Sequence, residues 1–158
     1  KIVAEKFPNA HFVIVGKDNS LQQEFRGELK RLVKIFELEN RFLWLNWVED
    51  TAPLLAATDV FVSASHSESF GLAILEAMAS ATAVAATATE GARALIENGA
   101  TGSLAHVKEP VALAEIIGEL LRDEVLRIRL GENAKRFVAE KFSLERMIDE
   151  IEKIYREL

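Results

Sequence analysis

Cysteine is absent from all 158 residues, which excludes disulfides, thiolate nucleophiles and thiolate metal sites. Long apolar runs are also missing. The longest charge-free stretch near the middle, Ala77 to Thr89, is mostly Ala and Thr and is too short and too weakly apolar to span a bilayer. An excess of positive charge is lacking as well: 19 basic against 25 acidic residues leave a net charge of −6, which opposes attraction to nucleic acid or anionic lipid. No G-x-G-x-x-G, Walker loop, H-E-x-x-H or D-x-D occurs, so the usual dinucleotide and metal signatures find no support. Nothing at the start resembles a signal peptide, and a cytoplasmic setting is expected.

What is present is enough to fold. With 49% hydrophobic residues, a chain of this length can bury a sizeable core as one domain spanning 1–158. Short β-branched runs alternate with longer segments of helical period, the pattern of a parallel sheet covered by helices. Strands are expected at His11 to Val15, Arg41 to Leu45, Asp59 to Ala64, Ala83 to Thr87 and Ser103 to Ala105. Helices are expected over Lys1 to Phe7, which reads as a helix cut in its middle, then about Ser20 to Leu38, Ala52 to Ala57 and Leu72 to Ala79. Three more follow: one after Glu109-Pro110, where proline suits a first turn, one over Val125 to Lys141, and one from the N-cap Ser143 to Tyr155. The fold class is α/β, a doubly wound, mostly parallel, Rossmann-like sheet with helices on both faces.

The segment Ser67-Glu68-Ser69-Phe70-Gly71-Leu72-Ala73-Ile74-Leu75-Glu76 joins a strand to a helix. In doubly wound sheets such junctions face the ligand crevice, and a helix N-terminus there favours an anion such as phosphate. Gly71 removes a side chain where a phosphate oxygen would approach the backbone, and Ser69 is a candidate helix cap or hydroxyl donor. At 100° per residue, Glu76 points within roughly 20° of Ser69. A carboxylate so placed suits vicinal ribose hydroxyls, while Glu68, in the loop, can reach groups attached to the phosphate.

Two glutamates eight positions apart, with Phe-Gly-Leu after the first and Glu-Ala-Met-Ala at the second, resemble glycosyltransferase family 4. The likeness extends to Phe7 through Gly16, Ala57 through Val62, Ala86 through Arg93 and Asn98 through Gly102. It implies the C-terminal, donor-binding domain of a retaining GT-B enzyme that transfers a sugar from a UDP- or GDP-sugar without a metal or other cofactor. Glu68 is then the catalytic residue, at the donor sugar. Ser69 and the amides of Phe70, Gly71 and Leu72 receive the diphosphate, Glu76 holds the ribose, and Gly16 with the turn Asn46-Trp47-Val48 lies beside the base.

Plainer roles compete with several of these. A glutamate on a helix is most often a solvated charge, and only the whole pattern raises Glu76 above that. His66 is more readily a turn residue than a phosphate donor, and His11 and His106 lack metal-ligand spacing. Trp47 is expected to pack on an adjoining helix more readily than to stack on a base. In the C-terminal helix, Leu144, Ile148, Ile151 and Tyr155 form an apolar side suited to covering a partner domain.

The chain departs from the family pattern at Ala81 and Ala83, where Gly and Pro are usual. A helix ending at Ala81 costs on the order of 1 kcal/mol without glycine. Asn46 also replaces a common glycine, but asparagine tolerates positive φ. The resemblance further implies an upstream strand, with an arginine and a lysine for the diphosphate, preceding residue 1. In the order 3-2-1-4-5-6 that strand is central. The expectation is therefore a piece of a two-domain enzyme whose acceptor domain lies upstream, inactive by itself and open to strand exchange between copies. Competing readings are an inert nucleotide-binding or assembly module and another GT-B enzyme, such as a sugar-nucleotide epimerase or a phosphorylase.

Overall fold

The computed structural model of the protein describes residues 1–17 and 24–157. It is an α/β structure in which every strand ladder is parallel and helices flank the strands. The chain divides into two compact units, Lys1–Thr51 and Ala52–Leu158.

In the first unit, α1 (Ile2–Lys6) leads to β1 (Phe12–Val15), α2 (Glu24–Ile35), a 3₁₀ turn (Glu39–Arg41) and β2 (Phe42–Leu45). Strands β1 and β2 pair in parallel with Phe12 opposite Phe42, and the two rings stack with centroids 4.8 Å apart. Helix α1 is too short to hold itself. The Arg41 guanidinium donates to the carbonyls of Ala4 (2.9 Å), Phe7 (2.6 Å) and Ala10 (2.8 Å), satisfying acceptors that a helix end leaves open.

Residues 20–23 of the expected second helix lie outside the described residues, and the described part stops at Ile35 rather than Leu38. The reason is Glu37, which takes a left-handed conformation (φ 56°). There the amides of Glu37 and Leu38 turn back to the carbonyls of Lys34 and Val33 and close the helix end.

The second unit contains α3 (Ala52–Ala56), β3 (Val60–Ser63), α4 (Leu72–Ala79), β4 (Ala83–Thr87), α5 (Glu90–Leu95), β5 (Ser103–Ala105), α6 (Pro110–Arg122), α7 (Glu124–Lys141) and α8 (Leu144–Arg156). Its sheet has the order β3-β4-β5. Strand β4 is buried along its whole length, as expected of a parallel strand covered on both faces, and its side chains alternate between two cores. Val84 and Ala86 join Leu55, Ile74, Met78, Ala92, Leu95, Ala134 and Val138. Ala83 and Ala85 join Ala105, Leu113, Leu120 and Leu130.

Among the described residues the strands pair in two separate ladders, β1-β2 and β3-β4-β5, and two features depart from expectation. Helix α5 was not anticipated: Thr89 caps it, its hydroxyl accepting from the Ala92 amide at 3.2 Å. Asn46 does not adopt the positive φ that its replacement of glycine implied.

Ala81 does adopt one, at φ 59°. The amides of Ala81 and Thr82 donate to the carbonyls of Met78 (3.1 Å) and Ala77 (3.0 Å), the paired bonds that end a helix on a left-handed residue. Helix α7 passes this corner at Gly131, where a Cβ would overlap the Ala81 carbonyl. Helix α8 has no buried residue and leaves Leu144, Met147, Ile148, Ile151, Ile154 and Tyr155 exposed. No described helix is long and apolar enough to cross a membrane.

Replacing Ala81 by Gly removes the left-handed strain and is expected to stabilise the protein by about 1 kcal/mol, read as a higher urea midpoint. Gly131→Ala is expected to lower that midpoint, because the overlap with the Ala81 carbonyl has no flexible atom to yield.

Candidate functional site

The loop between β3 and α4 is held from below by backbone and buried polar contacts. Thr87, buried at the end of β4, donates its hydroxyl to the carbonyls of Ser65 (2.5 Å) and Ser63 (3.3 Å). Farther along, the Gly91 amide in the first turn of α5 donates to the Glu68 carbonyl at 2.9 Å. A Cβ on Gly91 would stand 2.6 to 2.8 Å from the Phe70 backbone, so only glycine admits this approach. The loop carrying Glu68 to Gly71 thus rests directly on α5.

Gly71 turns the chain into α4 with φ 97° and ψ 56°. A Cβ there would touch Ile74 Cδ1 at 3.2 Å and Glu68 Cγ and Leu95 Cδ1 at 3.5 Å, so both conformation and space call for glycine. No side chain caps the helix. The first bonded amide is that of Leu75, which donates to the Gly71 carbonyl at 3.0 Å. The amides of Leu72, Ala73 and Ile74 precede that bond, at the positive end of the helix.

Ser69 is therefore not the helix cap: the left-handed turn at Gly71 starts α4 two residues beyond the position a Ser69 cap requires. For the same reason the angle drawn from Ser69 to Glu76 has no helical frame. Glu76 shares its face of α4 with Leu72, four residues earlier. Both are exposed, whereas Ile74, Ala77 and Met78 point into the core. Glu68 is half-buried, Ser69 and His66 are exposed, and Phe70 is 41% exposed. The Phe70 ring meets Phe142 edge-on at 6.1 Å, beside an open groove of about 500 Å³ lined by Leu75, Leu144 and Met147 among others.

The remaining candidates, Gly16, Asn46, Trp47 and Val48, belong to the first unit. Gly16 ends β1 with φ 133°, and its amide donates to the carbonyls of Asn46 (2.7 Å) and Leu45 (3.3 Å). Arg26 donates to the Gly16 carbonyl (3.1 Å) and to Asn46 Oδ1 (2.8 Å), joining the two turns. Trp47 is 74% exposed rather than packed on a helix as expected: β2 ends at Leu45, and the chain beyond it carries the ring out of the core. Val48 is half-buried, while His11 and His106 are exposed.

Three residues that shape these loops were not singled out in the sequence: Thr87, Gly91 and Arg26. A signal existed for the helix that carries Gly91, because Thr89 followed by the acidic Glu90 is an N-cap pattern. Nothing local marks the partners of Arg26 or Thr87, which lie 10 to 24 residues away.

Gly91→Ala is expected to displace the Phe70 backbone and to cost about 1 to 3 kcal/mol, as other overpacked sites do. It should also raise amide exchange selectively over residues 68–72. Unchanged exchange there would show that the loop does not depend on α5.

The family model described as glycosyl transferases group 1 matches residues 1–137. Among curated proteins, the chain is 38% identical over 125 residues to N-acetyl-alpha-D-glucosaminyl L-malate synthase of Bacillus anthracis, covering 79% of the chain and 33% of that protein. It is 36% identical over 146 residues to the lipopolysaccharide core biosynthesis mannosyltransferase LpcC of Rhizobium leguminosarum bv. viciae, covering 92% of the chain and 42% of that protein. Among solved structures, Alr3699/HepE of Anabaena in complex with UDP superposes with a TM-score of 0.92 at 28% identity, over 99% of the chain and 44% of that protein. The chain thus spans less than half the length of these relatives. With its family model matched from α1 into α7, this chain belongs to the glycosyl transferases group 1 family.

Proposed function

We propose that residues 1–158 are the donor-binding half of a retaining glycosyltransferase that takes a UDP- or GDP-sugar. The observation that carries this reading is the uncapped N-terminus of α4, opened by a left-handed glycine and braced by α5. Such an end offers aimed amide donors and the positive pole of the helix, which suit a diphosphate. The solved relative from Anabaena was crystallised with UDP, which supports the same ligand class here.

In this reading the amides of Phe70, Gly71 and Leu72, together with Ser69, receive the diphosphate, and Glu76 accepts from the ribose hydroxyls. Glu68, half-buried beside Gly71, orients the donor sugar. Gly16, Asn46, Trp47 and Val48 serve the base. Charge grows on the diphosphate as its bond to the sugar breaks. Donors fixed before the reaction stabilise that charge without reorganising, and here they stand in for a metal ion. The acceptor is held by a domain outside this sequence, and the anomeric configuration is retained.

Glu68→Gln in the intact protein is expected to lower kcat by roughly 10- to 100-fold while donor affinity changes less, as for a contact that tightens in the transition state. Steady-state kinetics check this, and unchanged turnover would sink the assignment. Product analysis by NMR should show the sugar's anomeric configuration retained.

Glu76→Ala is expected to weaken UDP binding by about 1.5 to 3 kcal/mol through loss of charge-assisted hydrogen bonds, measured by calorimetry. The unmodified protein should bind UDP more tightly than dUDP, and equal affinities would show that no ribose contact exists.

A further inference from the structure

Arg26 stands in the first turn of α2, with one nitrogen, Nη1, 2.8 Å from Asn46 Oδ1 and 3.1 Å from the Gly16 carbonyl. Its guanidinium also lies 5.6 Å from the centre of the Trp44 ring, and the side chain is half-buried. These contacts tie it to both turns and to the Trp44 ring. The Gly16 amide is already engaged by the Asn46 carbonyl at 2.7 Å, so the protein itself uses both backbone groups of Gly16.

The consequence falls on the Asn46 side chain. Its amide has two ends, an acceptor oxygen and a donor NH₂, which can exchange places by a half-turn. A guanidinium has donors only. Turning the NH₂ toward Arg26 would set donor against donor, so the arginine dictates which end faces it. Oδ1 is committed to Arg26 in an exposed residue, so the donor capacity of the side chain resides in Nδ2.

We propose that Arg26 is a positioning residue that locks the Asn46 amide as a donor, so that this turn selects nucleoside diphosphates whose base carries a carbonyl over those whose base carries an amino group. Uracil and guanine present acceptor oxygens at the positions where cytosine and adenine present NH₂. A fixed donor binds the first pair and meets the second donor to donor, which is specificity through an unpaired polar group as much as through attraction. The inference rests on the reading that Gly16 and the turn at Asn46 lie beside the base.

The test is calorimetry of the intact protein with UDP, CDP, GDP and ADP, repeated for Arg26→Lys, Arg26→Ala and Asn46→Asp. The unmodified protein should prefer UDP to CDP, and GDP to ADP, by about five- to tenfold, the value of one neutral hydrogen bond. Arg26→Lys, still a pure donor, should keep both ratios. Arg26→Ala frees the amide to turn and should bring them close to one. Asn46→Asp keeps its partner in Arg26, so the fold is not at risk, but it presents only acceptors and should shift both ratios toward CDP and ADP. A purely structural role for Arg26 would weaken all four ligands alike and leave the ratios unchanged, which would overturn the inference, as would equal UDP and CDP affinities in the unmodified protein. Failure of all four to bind would overturn the donor-site reading itself.

Discussion

The contact between Gly91 and the backbone of Glu68 and Phe70 is the constraint on which the candidate site depends. One amide, donated at 2.9 Å to the Glu68 carbonyl, joins the start of α5 to the loop that opens α4. The absence of a Cβ at Gly91 lets the two backbones meet. Without that approach Gly71 would have no reason to hold its left-handed turn in one place, and the first amides of α4 would not be aimed. Thr87 extends the support to the start of the loop. A site built on backbone donors needs such bracing, because an amide can be directed only by fixing the chain on both sides of it.

The same economy of space recurs at the other end of α4. Ala81 closes that helix in a conformation that suits glycine, and α7 crosses the corner through Gly131. Helix α4 is therefore bounded at one end by a glycine that the turn requires and at the other by an alanine that the turn merely tolerates. The buried core between these ends, Ile74, Ala77 and Met78 against Val84 and Ala86, holds the strained corner in place. Strain of this size persists only when surrounding packing over-determines it.

In the first unit, long-range hydrogen bonds do the work that propensity cannot. Helix α1 is one turn and a half long, and the three carbonyls near its end are gathered by Arg41 from more than 30 residues away. Arg26 does likewise for Gly16 and Asn46. An arginine suits both tasks because its donors are rigidly arranged and never lose their charge.

The elements with strong periodic patterns were legible in the sequence. Strand β4 (Ala83–Thr87), helix α4 (Leu72–Ala79) and strand β5 (Ser103–Ala105) occupy the residues expected of them, and Ser143 caps α8 through the Arg146 amide. Hydrophobic period and capping chemistry are local, so a short window contains them. The spacing of Glu68, Gly71 and Glu76 at a strand-to-helix junction was legible for the same reason. What only the tertiary structure decided is how that junction is held, with Gly71 rather than Ser69 beginning the helix and α5 lying against the loop, and, separately in the first unit, that Trp47 stands exposed and that Arg26 donates to Asn46 Oδ1. Each depends on a partner distant in sequence or on backbone atoms that carry no side-chain signature, and such contacts exist only once the chain has folded.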